Sequence, residues 1–204
     1  MAILVTIKQK MMKLQIGYQC RRLRMNYHDI KHDDMNNGSG LRVTLFVSGC
    51  DHYCPECHNQ ETWDTNSGIP FDEAAKNEIF DQLSKDYISG ITFSGGDPLN
   101  KHNVEYVYSL ISEIKERFPN KSIWLYTGYT WEELWEAWSY CNISVETKYR
   151  IKAIRLCDVL VDGVFDIDKA DVNYHWAGST NQRVIDVQKS LKVGDIVLYE
   201  NHCN

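Results

Sequence analysis

The sequence predicts an α/β fold with a mainly parallel sheet, a partial, open β/α barrel, and three observations lead there. Short β-rich runs alternate with segments of helical periodicity, as in strands joined by helical crossovers. These units number about four or five, too few to close an eight-fold barrel. The first strand runs directly into a loop of three cysteines and the second into a Gly-Gly-Asp-Pro turn. Both loops therefore fall at the carboxyl edge of the sheet, where parallel α/β folds hold their ligands.

Residues 25–40 are polar and end in Asn36-Asn37-Gly38-Ser39-Gly40, a turn-rich approach to a first strand over Leu41–Val47. After the cysteine loop, residues 61–70 form a connection with a turn at Asn66-Ser67-Gly68. Phe71, Ala75, Ile79, Phe80 and Leu83 recur at helical spacing, and Asp72 and Glu73 favour the positive end of that helix. Ile88–Phe93 reads as the second strand. The next helix buries Val104, Val107, Tyr108, Ile111 and Ile114 and stops before Pro119. Ser122–Tyr126 is the third strand. Thr130 and Glu133 then form a capping box for a helix carrying Trp131, Leu134, Trp135 and Trp138, read as packing residues. Residues 141–155 show no clear period and are expected to be irregular. Asp158–Gly163 is the fourth strand, and Val184–Val187 and Ile196–Leu198 are two short β-like runs in the tail.

At 204 residues the chain is long enough for one good core. No stretch approaches the roughly 18 uninterrupted apolar residues of a membrane span. Residues 1–8 are apolar but lack the flanks of a signal peptide, so the expected location is cytoplasmic. Residues 1–24 carry six basic side chains and no acid, while the remainder holds 16 basic against 28 acidic residues. An acidic body argues against a nucleic-acid surface. Seven cysteines, an odd number with three crowded together, do not form a disulfide framework; Cys20, Cys141, Cys157 and Cys203 are scattered and read as ordinary thiols.

The chemistry concentrates in Cys50-Asp51-His52-Tyr53-Cys54-Pro55-Glu56-Cys57-His58. A structural zinc site closes its tetrahedron with four protein ligands. A cubane 4Fe-4S cluster has four irons, each needing one outer ligand, so three thiolates leave one iron open to substrate or cofactor. The loop alone leaves both readings open, the zinc one completed by His52 or His58. Ser94-Gly95-Gly96-Asp97-Pro98-Leu99 follows the neighbouring strand. Its glycines let backbone approach a ligand closely, and Asp97 offers an acceptor to a cation such as an ammonium.

Together the two motifs resemble the radical S-adenosylmethionine superfamily. Thr62-Trp63, Ile123-Trp124-Leu125-Tyr126-Thr127-Gly128-Tyr129, Leu160-Val161-Asp162-Gly163 and Trp176-Ala177-Gly178-Ser179-Thr180-Asn181-Gln182-Arg183-Val184 follow in order. With them the chain is similar, over about residues 25–187, to the activating proteins of anaerobic (class III) ribonucleoside-triphosphate reductases. Three positions depart from the family pattern: Glu56 stands for a small residue, His58 for an aromatic one and Ala177 for an arginine.

The resemblance implies a partial barrel of the radical S-adenosylmethionine type, with a 4Fe-4S cluster on Cys50, Cys54 and Cys57. It implies S-adenosylmethionine held by Gly95, Gly96, Asp97, Thr127 and the Glu56-Cys57-His58 stretch, with Asp162 a weaker candidate. It also implies reductive cleavage of that cofactor to place a glycyl radical on the reductase, with flavodoxin or a similar donor supplying the electron and no side-chain general base. The domain reading is an extension over 1–24, an activase domain over 25–187 and a tail over 188–204. His28, His32, His102, His175 and His202 have no supporting spacing and read as structural or solvated. Two alternatives remain: an activase of another glycyl-radical enzyme such as pyruvate formate-lyase, against which the Trp-x-Gly-Ser-x-Asn-Gln segment argues, and a non-catalytic zinc-stabilised interaction module.

Overall fold

The computed structural model describes residues 25–200; the basic segment 1–24, Cys20, His202 and Cys203 lie outside them. Seven strands, β1 (Asn26–Asp34), β2 (Arg42–Val47), β3 (Ile69–Pro70), β4 (Gly90–Gly95), β5 (Ser122–Tyr126), β6 (Val159–Asp162) and β7 (Arg183–Asp186), form one sheet in the order β3-β1-β2-β4-β5-β6-β7. The central four run parallel, while β1, β3 and β7 pair antiparallel at the flanks. The sheet is mixed and does not close on itself.

The central register explains the core. Val43, Ile91 and Ile123 stand side by side, as do Leu45, Phe93, Leu125 and Leu160, and all are fully buried. Five helices accompany the sheet: α1 (Glu73–Leu83), α2 (Val104–Arg117), α3 (Trp131–Ser139), α4 (Val145–Leu156) and α5 (Val187–Val193). Ile79 and Leu83 of α1, Val107, Ile111 and Ile114 of α2, and Ile151 and Ile154 of α4 join the same apolar cluster. Each such side chain stabilises by about 1.5–3 kcal/mol relative to exposure.

The alternate residues of the same strands face the other way, where buried polar side chains on β2 and β4 lie beside apolar ones on β5 and β6. Arg42 is wholly buried and donates to Thr92 Oγ1 at 2.8 Å, Ile91 O at 2.7 Å, Ser39 O at 3.1 Å and both oxygens of Ser122 at 2.9 Å. Its guanidinium lies 5.3 Å from the centre of the Trp124 ring. Burial pushes the Arg42 pKa down to about 10. This residue ties the starts of β2, β4 and β5, leaving their other ends to build the site. Trp124, Val159 and Val161 make a second apolar cluster on this face with Trp176 and Tyr199.

Three sequence expectations are corrected. The polar approach to the first strand is itself a strand, β1, whose irregular register against β2 hides any alternation. Residues 141–155 are not irregular: α4 is capped by Ser144, whose Oγ accepts from Thr147 N at 3.1 Å, and buries only a narrow stripe between Lys148, Lys152 and Arg155. In the tail the run Val184–Val187 is strand β7 up to Asp186, and α5, capped by Asp186, follows where no helix was expected. By contrast, the capping box of Thr130 and Glu133 is present on α3, and the run Ile196–Leu198 contributes only an isolated bridge to Ile185.

Candidate functional site

At the carboxyl ends of β2, β4, β5 and β6 the loops leave a cleft of about 490 Å³. Cys50, Cys54, Cys57 and His58 from the loop after β2, Ser94 and Gly95 at the end of β4 with Gly96 and Asp97 after it, and Thr127 and Gly128 after β5 line it. Gly163–Phe165 and parts of residues 172–182 form the opposite bank.

The cysteine loop is anchored where it leaves the sheet: Gly49 N donates to Thr62 O at 2.6 Å and Cys50 N to Trp63 O at 3.0 Å. A turn with Cys57 N on Cys54 O at 3.2 Å brings the last two thiols round, helped by left-handed backbone at Tyr53 and Glu56. All three thiols are free and partly buried. Burial raises the Cys50 thiol to about 12, with the His52 backbone N–H opposing, and burial likewise pushes Cys54 upward. Ligation by thiolates must therefore displace protons here. The donor set fits an iron–sulfur cluster: three soft sulfur ligands open to one cleft. Neither candidate fourth zinc ligand joins them. His52 is committed to Asp97, and the His58 ring lies beside Phe165 with centroids 5.5 Å apart. Among the described residues, no three His, Cys, Asp or Glu side chains are gathered to hold a single metal ion.

Asp97 joins three loops. Its side chain is 2% exposed, and it accepts from Leu99 N at 2.7 Å, Thr127 Oγ1 at 3.0 Å and Gly128 N at 3.2 Å, while His52 Nε2 lies 2.6 Å from Oδ2. Burial opposes the charged imidazole, but the bond and charge of Asp97 outweigh it and raise the His52 pKa. Asp97, expected from the sequence as an acceptor for a ligand ammonium, thus also meets donors from Leu99, Thr127, Gly128 and His52. Buried Asn103 adds a second tie, donating to Ser48 O at 2.8 Å and Asp97 O at 3.0 Å.

The glycines of this edge are explained by what they let approach. A Cβ on Gly96 would meet Gly49 O at 2.6 Å, in the space through which Asp97 N reaches the same oxygen at 2.8 Å. A Cβ on Gly128 would run into the His52 ring. That ring also meets Tyr129 edge-on at 4.7 Å, and Arg150 of α4 steadies Tyr129 and donates to Leu99 O at 2.8 Å.

The opposite bank is pinned by the Trp176–Gln182 segment. Gln182 Nε2 donates to Gly163 O and Asn181 Nδ2 to Val164 O, both at 2.9 Å, and Tyr126 OH donates to Trp176 O at 2.7 Å. Just behind it, Asp162, 1% exposed, accepts from Trp131 N at 2.7 Å and Arg183 Nε at 3.0 Å. Arg183 also grips Glu132 with two bonds, at 2.9 and 2.6 Å. Hydrogen bonding to Arg183 holds Glu132 down to about 2, against a small opposing effect of burial.

Of the residues nominated from sequence, Cys50, Cys54, Cys57, His58, Gly95, Gly96, Asp97 and Thr127 share the cleft, whereas exposed Glu56 stands outside its lining. Asp162 is buried behind the bank. His28 and His32 pair with Ser67 Oγ and Glu78, while His175 lines the cleft beside Trp176. Sequence reading missed His52, Asn103 and Arg150 as organisers of the edge. Their most distant partners, Asp97, Ser48 and Leu99, lie 45, 55 and 51 residues away in the chain, and only a pairing signal across that distance would have found them.

A family model for a 4Fe-4S single cluster domain matches residues 36–185. The chain is 43% identical over 162 residues to the anaerobic ribonucleoside-triphosphate reductase-activating protein of Escherichia coli (strain K12), covering 78% of this chain and 97% of that one. It is 39% identical over 160 residues to the protein of that name from Pasteurella multocida (strain Pm70), covering 78% and 95%. The one from Enterobacteria phage T4 is 39% identical over 160 residues, covering 78% and 93%.

Proposed function

The chain belongs to the family of anaerobic ribonucleoside-triphosphate reductase-activating proteins, and from that premise we propose that Cys50, Cys54 and Cys57 hold a 4Fe-4S cluster with one iron left for S-adenosylmethionine. The protein is an activating enzyme of the anaerobic reductase with an iron–sulfur cofactor. The open sheet is then a partial barrel of the radical S-adenosylmethionine type. Its electron comes from flavodoxin or a similar low-potential donor in the cytoplasm.

When bound, the cluster and cofactor supply one-electron reductive cleavage of a carbon–sulfur bond and the hydrogen abstraction that leaves a glycyl radical on the reductase. The chain's own share is placement. The cysteine loop presents its thiols along one wall, and Ser94, Gly95 and Gly96 offer backbone groups to the methionine end of the cofactor. Thr127 and the Cys57-His58 backbone, which line the same cleft, would help to hold the cofactor. Asp97 acts by holding the loops after β2, β4 and β5 together, and Glu56 contributes only through its backbone at the turn. The segment pinned by Asn181 and Gln182 supplies further lining of the cleft.

One observation carries the reading: three thiols and the Asp97 junction share one cleft at the ends of parallel strands. The test is anaerobic reconstitution with iron and sulfide, reduction, addition of S-adenosylmethionine and assay for 5′-deoxyadenosine. A brown protein that forms this product supports the reading; a colourless protein that forms none overturns it.

A further inference from the structure

The matching family model ends at residue 185, and the chain beyond it folds back onto the sheet. After α5 it reverses at left-handed Gly194 and returns along the outer edge of β7. Asp186 N donates to Val197 O at 2.9 Å, Val197 N to Ser190 Oγ at 2.9 Å and Tyr199 N to Val184 O at 2.8 Å. Leu198 pairs with Ile185 as an isolated bridge, so the return covers an edge that would otherwise be open. It also carries the Tyr199 ring into the second apolar cluster, edge-on to Trp124 at 5.1 Å and to Trp176 at 5.8 Å.

Trp176 links that cluster to the cleft. It lines the cleft, and its φ of 61° is left-handed backbone that a bulky side chain rarely adopts. Such a conformation persists only where the surroundings over-determine it. Tyr126 OH donates to Trp176 O at 2.7 Å, and the Trp124 ring meets the Trp176 ring edge-on at 5.0 Å. Trp124, 1% exposed, is itself fixed by the Arg42 guanidinium 5.3 Å from its centre. Tyr199 completes the set, and it comes from the part of the chain that the family model does not cover.

We propose that Tyr199 is a positioning residue for the cofactor cleft: packed against Trp176 and Trp124, it keeps the Trp176–Gln182 segment in the left-handed turn that lines the cleft. Resting on the function proposed above, this makes the tail a determinant of S-adenosylmethionine affinity. A shift at Trp176 does not stay local. Gly178 N donates to Gln182 Oε1 and Gln182 Nε2 to Gly163 O, both at 2.9 Å, so the segment is tied to the loop after β6. Tyr199 itself is outside the cleft lining and the cysteine loop. Its loss should therefore leave the thiols able to take up iron and should weaken binding rather than slow bond cleavage, which reads as a raised KM with an unchanged kcat.

The test uses the full chain with Tyr199→Ala and Tyr199→Phe. Leu198→Ala, whose side chain is 55% exposed in the same return, controls for the tail, and Cys157→Ala, buried outside the cleft lining, controls for a general loss of stability. Hydrogen exchange of the cluster-free proteins reports on residues 172–182 against β4. Iron content and dithionite-driven 5′-deoxyadenosine formation, titrated with S-adenosylmethionine, are measured on the reconstituted proteins. Tyr199→Ala should exchange at least tenfold faster across 172–182 with β4 unchanged, and should raise the KM at least fivefold with kcat and iron content within twofold. Tyr199→Phe, which keeps the ring, and both controls should stay within twofold of the unmodified protein in exchange and KM. Unchanged exchange or an unchanged KM in Tyr199→Ala overturns the proposal. So does a Tyr199→Phe protein as impaired as Tyr199→Ala, or an equal rise in KM in either control. Failure of the unmodified protein to form 5′-deoxyadenosine would instead count against the proposed function, while the exchange comparison still decides whether Tyr199 holds the segment.

Discussion

His52 Nε2 lies 2.6 Å from Asp97 Oδ2, joining the cysteine loop to the turn after β4 across 45 residues of chain. The contact is shielded, with side-chain exposures of 17% and 2%. A hydrogen bond to a charged group contributes about 1.5–3 kcal/mol.

His52→Ala should therefore lower the melting temperature of the cluster-free protein by several degrees, at about 2–4 °C per kcal/mol for a chain of this size. It should also reduce the iron retained after desalting. Asp97→Asn should be worse, because its NH2 would face a donor in either orientation, Leu99 N–H on one side or Gly128 N–H on the other. Calorimetry with iron analysis checks both; an unchanged melting temperature for His52→Ala contradicts the role given to this pair.

Gly128 and His52 should show coupled energetics. Gly128→Ala forces a methyl group against the imidazole and should destabilise the native protein. In a His52→Ala background the same change should be milder, with a coupling on the order of 1 kcal/mol. Urea titrations of the four proteins measure it, and simple additivity would show that the ring is not what makes glycine necessary there.

The parallel core and the cysteine loop were legible because buried parallel strands read as apolar runs, as Val43–Val47 and Val159–Val161 do. Gly95 and Gly96 were legible as a close approach, but not what approaches, since Gly49 O comes from another loop. β1 escaped notice because Tyr27 and Ile30 are its main buried apolar contributions, out of step with a two-residue period. α4 escaped because Lys148, Arg150, Lys152 and Arg155 interrupt its stripe, although Ser144 was a readable cap. Asp97 was correctly placed at the cleft, while its engagement by His52, Thr127 and Gly128 belongs to tertiary structure alone.

Acid should loosen the clamp behind the far bank. Glu132 is depressed from 4.5 to about 2 by Arg183. A depressed carboxylate contributes stability that is complete above pH 4.5 and lost as pH falls toward about 2. Because Glu132 is largely exposed, the contribution should be below about 1 kcal/mol. The stability gap between the protein and Glu132→Gln should narrow across that window. Arg183→Met should cost more, about 3 kcal/mol, because it strips buried Asp162 of its cationic partner. Denaturant midpoints at several pH values test both statements.

The cysteines should divide sharply. Cys50→Ser, Cys54→Ser and Cys57→Ser should each abolish the brown chromophore and 5′-deoxyadenosine formation. Cys157 is wholly buried, its thiol donating to Ala153 O at 3.3 Å, and burial pushes its pKa up. Cys157→Ala should keep normal iron content and lose only about 1 kcal/mol or more of stability through the small cavity. Iron and sulfide analysis of the four variants decides this, and loss of iron from Cys157→Ala would contradict the ligand assignment.

The most direct measurement is electron paramagnetic resonance of the reductase after anaerobic mixing with the reduced, reconstituted protein and S-adenosylmethionine. The account predicts a glycyl doublet on the reductase that rises with 5′-deoxyadenosine and is absent with Cys54→Ala. No doublet despite an intact cluster, or a doublet only when pyruvate formate-lyase replaces the reductase, would contradict it.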